Sequence, residues 1–335
     1  MPRCAHTILE GRDLVVEYRI RDEPVRALDD ASLTVARAEV LGIVGESGSG
    51  KSTLGLALSG ALPREARIHS GEAYVEDHPV SGTGERALRE LRRRRLGFVF
   101  QDPIGTLDPT ARVGRQVRWA LERGAAGRSR STTSDDVHAL LAQVRLPEPR
   151  AVARSYPHQL SGGMAQRVSI AIALANRPAA VIADEPTAAL DASIQAEILE
   201  LLVDQARRHD TAVVLMSHDL PAVRRYCDRV AVMYGGRVVE EGPTARLFEN
   251  PAHPYTRALL ASALGREQPG SRVEAIPGQP PVLRAAAAGC AFAPRCDSVL
   301  PDCSATRPEV HDVDGVRTLC HLPAVPVHRK DRSHA

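Results

Sequence analysis

The segment 45–53 contains the residues with the most specific chemistry in the sequence. It fits the phosphate-binding pattern G-x-x-x-x-G-K-[ST] and consists of Gly45, Glu46, Ser47, Gly48, Ser49, Gly50, Lys51, Ser52 and Thr53. Apolar residues precede it and a largely apolar stretch follows it, which predicts a strand, a glycine loop and a helix in that order. In such a loop the backbone amides and the helix N-terminus bind phosphate, Lys51 reaches the β- and γ-phosphates and Ser52 binds Mg²⁺.

A second glycine-containing loop opens another predicted helix at residues 160–167. Ser161 is a favourable N-cap residue, and its hydroxyl would join the amides of Gly162 and Gly163 in a second anion site. The sequence therefore predicts two phosphate-binding loops in one chain.

Polar side chains follow three predicted buried strands. Asp184 and Glu185 end one apolar run, Gln101 follows another, and His218 follows a third. Because ligands bind at the carboxyl ends of parallel strands, we expect these side chains at one edge of a sheet. Asp184 would hold Mg²⁺, and Glu185 would orient or deprotonate an attacking water. The structural alternatives are an acidic pair that caps the next helix, a turn glutamine and a structural histidine.

Two further residues flank these segments. Tyr18 ends an alternating stretch that predicts a strand over 8–18, where it is either a core or edge aromatic or a ring that stacks on adenine. Asp191 lies in a turn before a predicted helix. Other patterns predict further strands at 31–35 and 71–76, helices at 113–121, 137–144 and 194–208, and a hairpin of 230–234 with 237–241.

Length and composition restrict the class of protein. A chain of 335 residues suggests one large and one smaller domain, or two domains. The formal net charge is +2, so charge alone gives no reason to expect binding to nucleic acid or to a membrane surface. No apolar stretch is long enough to span a bilayer, and the N-terminus lacks the pattern of a signal peptide. We therefore expect a soluble, cytoplasmic protein.

The order of these segments resembles that of the ATP-binding-cassette (ABC) ATPases over roughly residues 5–245. The A-loop, Walker A, Q-loop, signature, Walker B, D-loop and H-loop of that family match, in order, Tyr18, 45–53, Gln101, 160–166, 180–185, Asp191 and His218. The resemblance implies an α/β P-loop NTPase domain at 1–245. It would have a mixed sheet core, an antiparallel β subdomain and an α-helical subdomain at about 103–175.

The resemblance also implies roles for these residues with ATP and Mg²⁺. Glu185 would be the catalytic base, assisted by Lys51 and by His218, which contacts the γ-phosphate, and Mg²⁺ would be held by Ser52, Gln101 and Asp184. Two such domains dimerise head to tail in this family, so that Ser161, Gly162 and Gly163 close over the ATP of the partner. At Ala165 close relatives usually carry arginine, and we expect altered surface contacts there.

A narrower resemblance is to the ATPase subunits of oligopeptide, dipeptide and nickel importers. It rests on the segments 45–53, 100–103, 156–158, 250–256 and 276–281. It implies a small cysteine-rich extension at 246–335 and a peripheral position at the cytoplasmic face of the membrane. The implied partners are a second ATPase subunit, identical or homologous, two permease subunits and an extracytoplasmic solute-binding protein. The sequence leaves open whether the solute is a peptide or nickel.

Four cysteines form the remaining candidate site. Cys290, Cys296, Cys303 and Cys320 are spaced more widely than the pairs of a zinc ribbon. They suit a [4Fe–4S] cluster, which the resembling group also suggests, with zinc or reduced structural thiols as alternatives. We expect a metal to supply much of the folding energy of this region.

Two other classes of function remain as alternatives to transport. One is a soluble cassette protein acting on nucleic acid or ribosomes, but such proteins commonly carry two cassettes or a long coiled-coil insertion, and this chain has one cassette and no such insertion. The other is a redox or metal sensor in which the cysteine region is primary. An energy-coupling ATPase that does not bind nucleic acid is the leading hypothesis.

Overall fold

The computed structural model describes residues 7–20, 23–124, 132–188, 190–264 and 276–322. Its strands are β1 (Thr7–Ile20), β2 (Glu23–Ala36), β3 (Val40–Val44), β4 (Ala66–Val75), β5 (His78–Pro79), β6 (Leu96–Val99), β7 (Ala180–Asp184), β8 (Ala212–Met216), β9 (Arg229–Tyr234), β10 (Arg237–Pro243), β11 (Val310–Val313) and β12 (Val316–Leu319). Its α-helices are α1 (Lys51–Leu58), α2 (Glu85–Arg95), α3 (Pro103–Thr106), α4 (Val113–Gly124), α5 (Ser134–Gln143), α6 (Pro149–Arg154), α7 (Gly162–Leu174), α8 (Ala192–Arg208), α9 (Leu220–Tyr226), α10 (Thr244–Glu249), α11 (Pro254–Leu264) and α12 (Asp302–Ala305).

The larger sheet brings the predicted functional strand ends side by side. Within the described residues its order is β11-β12-β10-β9-β3-β8-β7-β6. Strands β9, β3, β8, β7 and β6 run parallel, whereas β10, β12 and β11 add antiparallel pairings at one side. All residues of β3 and β8 are buried, as expected for apolar strands covered on both faces. Because β3, β8 and β7 are parallel neighbours, the segments that follow them meet at one edge.

The smaller sheet has the order β2-β1-β4-β5 and is antiparallel. Helix α1 contacts strands of both sheets. Its residues Leu54 and Leu58 are fully buried in a cluster that also contains Leu14 of β1 and Ile43 of β3. The two sheets therefore hold between them the helix that follows the predicted phosphate loop.

Helices α3 to α7 form a layer beside β6. Helix α7 packs on β6 and contacts α3, α4, α5 and α8. Val113 of α4 and Val168 of α7 are fully buried in this layer. Ala165 is also fully buried, so the expectation that it changes surface contacts is wrong: the residue lies on the inner face of α7.

The C-terminal region, which comprises the described residues from 246 to 322, shares its core with the rest of the chain. Strand β12 pairs with β10 so that Thr318 lies opposite Glu240. Phe292 is 2% exposed and packs edge-on against Tyr234, with ring centroids 5.2 Å apart. The predicted division into domains 1–245 and 246–335 stays a prediction.

A buried cluster of charges surrounds Asp29 of β2, which is 1% exposed. Its carboxylate accepts hydrogen bonds from Arg237 of β10 at 2.7 and 3.0 Å and from Arg26 at 3.0 Å. Arg307, in the C-terminal region, adds contacts at 3.3 Å. Burial alone would raise the pKa of Asp29, but the attraction of Arg237 and the hydrogen bonds from Arg26 and Arg237 outweigh it and hold the pKa below its ordinary value. One carboxylate thus joins both sheets to the C-terminal region.

Replacing Asp29 by asparagine should lower the free energy of unfolding at pH 7 by about 3–5 kcal/mol, because Arg237 would stay buried without its counter-charge. The depressed pKa contributes stability that is present above the unfolded-state value of about 4 and is lost as pH falls through the folded-state value. Urea titrations should therefore show the difference between wild type and D29N shrinking in acid. The control D314N removes an exposed ion pair with Arg246 and should cost less than about 1 kcal/mol. Equal stability of D29N and wild type at pH 7 would contradict the prediction.

Candidate active site

The segment 45–53 forms the turn between β3 and α1, as its sequence predicts. Gly50 has φ 103°, and a side-chain Cβ at this position would lie 2.7 Å from the carbonyl oxygen of Ala27 in β2. Gly45 has φ 151°, and a Cβ there would collide with the carbonyl oxygen of Met233 in β9. Only glycine combines these backbone angles with such close approach to neighbouring strands. The loop therefore packs closely against a strand of each sheet, β2 and β9.

Lys51 folds back over the loop that precedes it. Its Nζ donates to the carbonyl oxygens of Gly45 at 2.8 Å and Glu46 at 3.0 Å. Burial lowers the pKa of Lys51, while Glu185, Asp184 and Glu46 act in the opposite direction. These carboxylates therefore favour the charged form of Lys51 against the effect of burial.

Ser49 supplies a polar atom suited to a ligand. The residue is 3% exposed, and within the described part of the chain its Oγ has no hydrogen-bond partner. A buried hydroxyl without a partner is costly unless a bound group satisfies it. Gly50 is the N-cap of α1 and makes no side-chain hydrogen bond to it. No capping side chain therefore competes with an anion for the first amides of the helix. These features fit a bound phosphate chain with Mg²⁺ at Ser52 in the first turn.

Glu185 and His218 meet at the ends of β7 and β8. His218 Nδ1 lies 2.8 Å from Glu185 Oε2, and the His218 side chain is 71% exposed. Glu185 has φ 47°, and its amide donates to the carbonyl oxygen of Met216 at 3.0 Å. A left-handed glutamate is a strained conformation of the kind found at functional sites. The pair can orient a water or accept its proton at this edge of the sheet.

Tyr18 lies beside the start of α1, whereas Gln101 follows the edge strand of the larger sheet. The Tyr18 hydroxyl is 3.4 Å from Thr53 Oγ1, which places its ring beside the first turn of α1. A surface cavity of about 590 Å³ there is lined by Glu17, Tyr18, Arg19, Pro24, Arg64, Glu65, Ala66 and Arg67. Gln101 is exposed just after β6, the edge strand of the larger sheet, and within the described residues its side chain makes no hydrogen bond to the loop.

The second glycine loop lies at the N-terminus of α7. Ser161 Oγ accepts a hydrogen bond from the amide of Met164 at 3.3 Å, which is the predicted N-cap. Ser161 and Gly162 are exposed, and a Cβ at Gly162 would contact Leu190, next to Asp191. Asp191 is exposed at the N-cap of α8 without a side-chain capping bond. In the described residues no hydrogen bond or ion pair joins this group to 45–53, so the two predicted anion loops form separate sites.

The predicted metal site in the C-terminal region has no support in the structure. The Cys290 amide donates to the Cys303 carbonyl oxygen at 2.7 Å, yet the described residues contain no group of three or more cysteine, histidine or acidic side chains arranged to hold a metal. Burial raises the pKa of Cys290, Cys296 and Cys320, which favours the protonated thiols. Strand pairing and the packing of Phe292 hold the region, and the described residues give no support for a [4Fe–4S] cluster or zinc.

The sequence predictions missed the contacts that the C-terminal region makes with the phosphate loop. The Glu46 amide donates to the Tyr255 hydroxyl at 2.9 Å. The Arg295 guanidinium donates to both Glu46 carboxylate oxygens, at 2.6 and 2.9 Å. Arg295 and Glu46 are 249 positions apart, and no periodicity or spacing in the sequence links them.

None of the helices in the described ranges is long and apolar enough to cross a membrane.

Two family profiles match the chain: "ABC transporter" over residues 28–188 and "Oligopeptide/dipeptide transporter, C-terminal region" over residues 239–303.

The chain is similar to characterised proteins along most of its length. It is 39% identical to the dipeptide transport ATP-binding protein DppD of Haemophilus influenzae, over 94% of this chain and 96% of that protein. It is 41% identical to the oligopeptide transport ATP-binding protein OppD of Salmonella typhimurium, over 96% of each chain. A solved structure shows the dimeric ATP-binding cassette MJ0796 in a post-hydrolysis state, bound to ADP and Pi. Its sequence is 28% identical to this chain, and the match covers 70% of this chain and 98% of that one, with a TM-score of 0.62. The chain therefore belongs to the ABC transporter family of ATP-binding ATPases and carries the C-terminal region of its oligopeptide/dipeptide transporters.

Proposed function

We propose that this protein binds and hydrolyses ATP to energise the import of peptides. The observation that carries the proposal is the 2.8 Å contact of Glu185 Oε2 with His218 Nδ1 at the same edge of the sheet as the loop 45–53. The dipeptide and oligopeptide names of the compared relatives favour a peptide over nickel as the solute. Import by this proposal needs two permease subunits and an extracytoplasmic solute-binding protein, with the ATPase at the cytoplasmic face of the membrane.

The loop 45–53 and the residues near it each have a role in this proposal. Lys51 and the amides of 45–53 bind the phosphates of ATP, and Tyr18 stacks on the adenine. Ser52, Asp184 and Gln101 hold Mg²⁺, which neutralises charge on the phosphates when it is bound.

Hydrolysis in this proposal depends on the pair at the ends of β7 and β8. Glu185 accepts the proton of the water that attacks the γ-phosphate, and the bond to the β–γ bridging oxygen breaks. His218 holds the Glu185 carboxylate through Nδ1, at 2.8 Å, and directs its other edge to the γ-phosphate. The exposed side chain of His218 supports this role, because it leaves that edge accessible.

The second glycine loop, at the start of α7, completes the ATP site of another subunit in this proposal, together with Asp191. Ser161, Gly162 and Asp191 are exposed, and the solved cassette MJ0796 is dimeric. We infer that Ser161, Gly162 and Gly163, together with Asp191, close over ATP bound to a second cassette, identical or homologous. This arrangement explains why one chain carries two separate anion loops.

Replacing Glu185 by glutamine should reduce ATP turnover by about 10²- to 10⁴-fold, because the amide cannot accept the proton of the attacking water. ATP binding should be retained, since Lys51 and the loop are unchanged. Phosphate release and equilibrium ATP binding measured on the same preparation check both parts. The matched control E197Q removes an acidic side chain that is 61% exposed and pairs with Arg167, and its turnover should equal that of wild type. Wild-type turnover in E185Q would refute the assigned base.

Replacing Ser161 by glutamate should leave ATP binding by the subunit's own loop unchanged and should abolish hydrolysis in the assembled transporter. The added charge would meet the γ-phosphate held by the partner. In contrast, K51A should weaken ATP binding in its own site by about 2–3 kcal/mol, because a charged hydrogen-bond donor is lost. Titration with ATP and turnover assays separate the two variants. A loss of ATP binding in S161E as large as that in K51A would place Ser161 in its own subunit's site.

A further inference from the structure

Glu46 of the phosphate loop is held by residues from outside the loop. Its carboxylate forms the two-bond ion pair with Arg295, and its amide donates to the Tyr255 hydroxyl. Its carbonyl oxygen accepts from Lys51 at 3.0 Å. One residue therefore links the C-terminal region to the lysine that faces the phosphates.

Arg295 is itself fixed in one position. Its side chain is 6% exposed, and it donates to the Tyr234 hydroxyl at 3.1 Å. It also donates to the carbonyl oxygens of Pro277 at 2.6 Å and Ile276 at 3.2 Å. A guanidinium with this many partners cannot move without breaking several charge-assisted hydrogen bonds.

Tyr255 is equally constrained. The residue is fully buried at the start of α11, and its ring lies 4.5 Å from the ring of Tyr234 and 5.3 Å from that of Phe292. Burial raises the pKa of Tyr255, so the phenol stays neutral and its oxygen accepts the Glu46 amide. The Glu46 amide is partly buried, so the loss of this acceptor would carry a desolvation cost.

The Glu46 carboxylate would oppose ATP binding if it were unpaired. It lies in the loop that we propose binds phosphates, and it is 24% exposed, so water screens its charge only in part. The paired Arg295 cancels that charge. Tyr255 and Lys51 hold the Glu46 amide and carbonyl, on either side of its Cα. The positioning of the loop and the neutralised charge of Glu46 therefore both favour ATP binding.

We propose that Arg295 and Tyr255 of the C-terminal region are positioning residues that hold the phosphate loop through Glu46 and thereby set its affinity for ATP. The proposal rests on the assignment of 45–53 as the ATP phosphate site. Neither residue belongs to the loop 45–53, and both act on it through Glu46, so we expect them to change binding more than the chemical step. The C-terminal region is in this way part of the nucleotide site of its own subunit.

The test uses the full-length chain and equilibrium titration with MgATP. In R295Q the dissociation constant for ATP should rise on the order of tenfold, a typical coupling between linked sites. The double variant R295Q/E46Q should recover only part of that loss, because the unpaired carboxylate is gone but the loop still lacks its ion pair. The matched control R317Q removes another arginine of the C-terminal region, which pairs with Glu241 at 3.1 Å away from the loop, and should bind ATP as wild type does.

Melting without nucleotide shows that the compared variants are folded, and turnover measured at saturating ATP should change less than about twofold. If R295Q does not fold, Y255F takes its place, because it keeps the ring and removes only the acceptor of the Glu46 amide. An unchanged ATP affinity in the folded variant overturns the proposal. Full recovery of wild-type affinity in R295Q/E46Q also overturns it, because the double variant lacks the ion pair that positions the loop. Wild-type protein that fails to bind ATP, or K51A that binds it normally, would instead refute the assignment of the phosphate site.

Discussion

The buried ion cluster around Asp29 is the interaction on which the geometry of the site depends. Its carboxylate contacts Arg26, Arg237 and Arg307, and its backbone amide donates to the Gly236 carbonyl oxygen at 3.0 Å. These bonds fix β2 against the turn between β9 and β10. The carbonyl oxygens that confine the phosphate loop belong to Ala27 of β2 and Met233 of β9. The loop therefore has its shape because strands from both sheets are locked together.

Local sequence signals were sufficient to predict the parts of the site that follow strands. The glycines of 45–53 and the apolar runs beside them encode strand, loop and helix within a short stretch, and β3 and α1 confirm them. The apolar strand that ends at Asp184 likewise predicts β7. Because parallel strands end at a common edge, this pattern was enough to expect Glu185 beside His218, and the structure confirms that contact.

The remaining features depend on contacts between residues far apart in the chain. Nothing in the local pattern of Asp29 indicates that Arg307, 278 positions away, reaches its carboxylate. The same holds for Glu46 and Arg295. For the cysteines, sequence spacing suggested a metal-binding set that the described residues do not support, and the region is held by strand pairing and aromatic packing. Proximity in sequence shows which donors are available and not how their side chains are arranged.

The C-terminal region reaches the phosphate loop by two independent routes. One is the side-chain route through Arg295 and Tyr255 to Glu46. The other is the hydrogen-bonded ladder of the larger sheet, in which β12 pairs with β10, β10 with β9, and β9 with β3, the strand that leads into the loop. A packed sheet transmits displacement because its interior has little free volume. A shift of the backbone in the C-terminal region can therefore reach the loop by either route, and the fixed positions of Arg295 and Tyr255 favour the first.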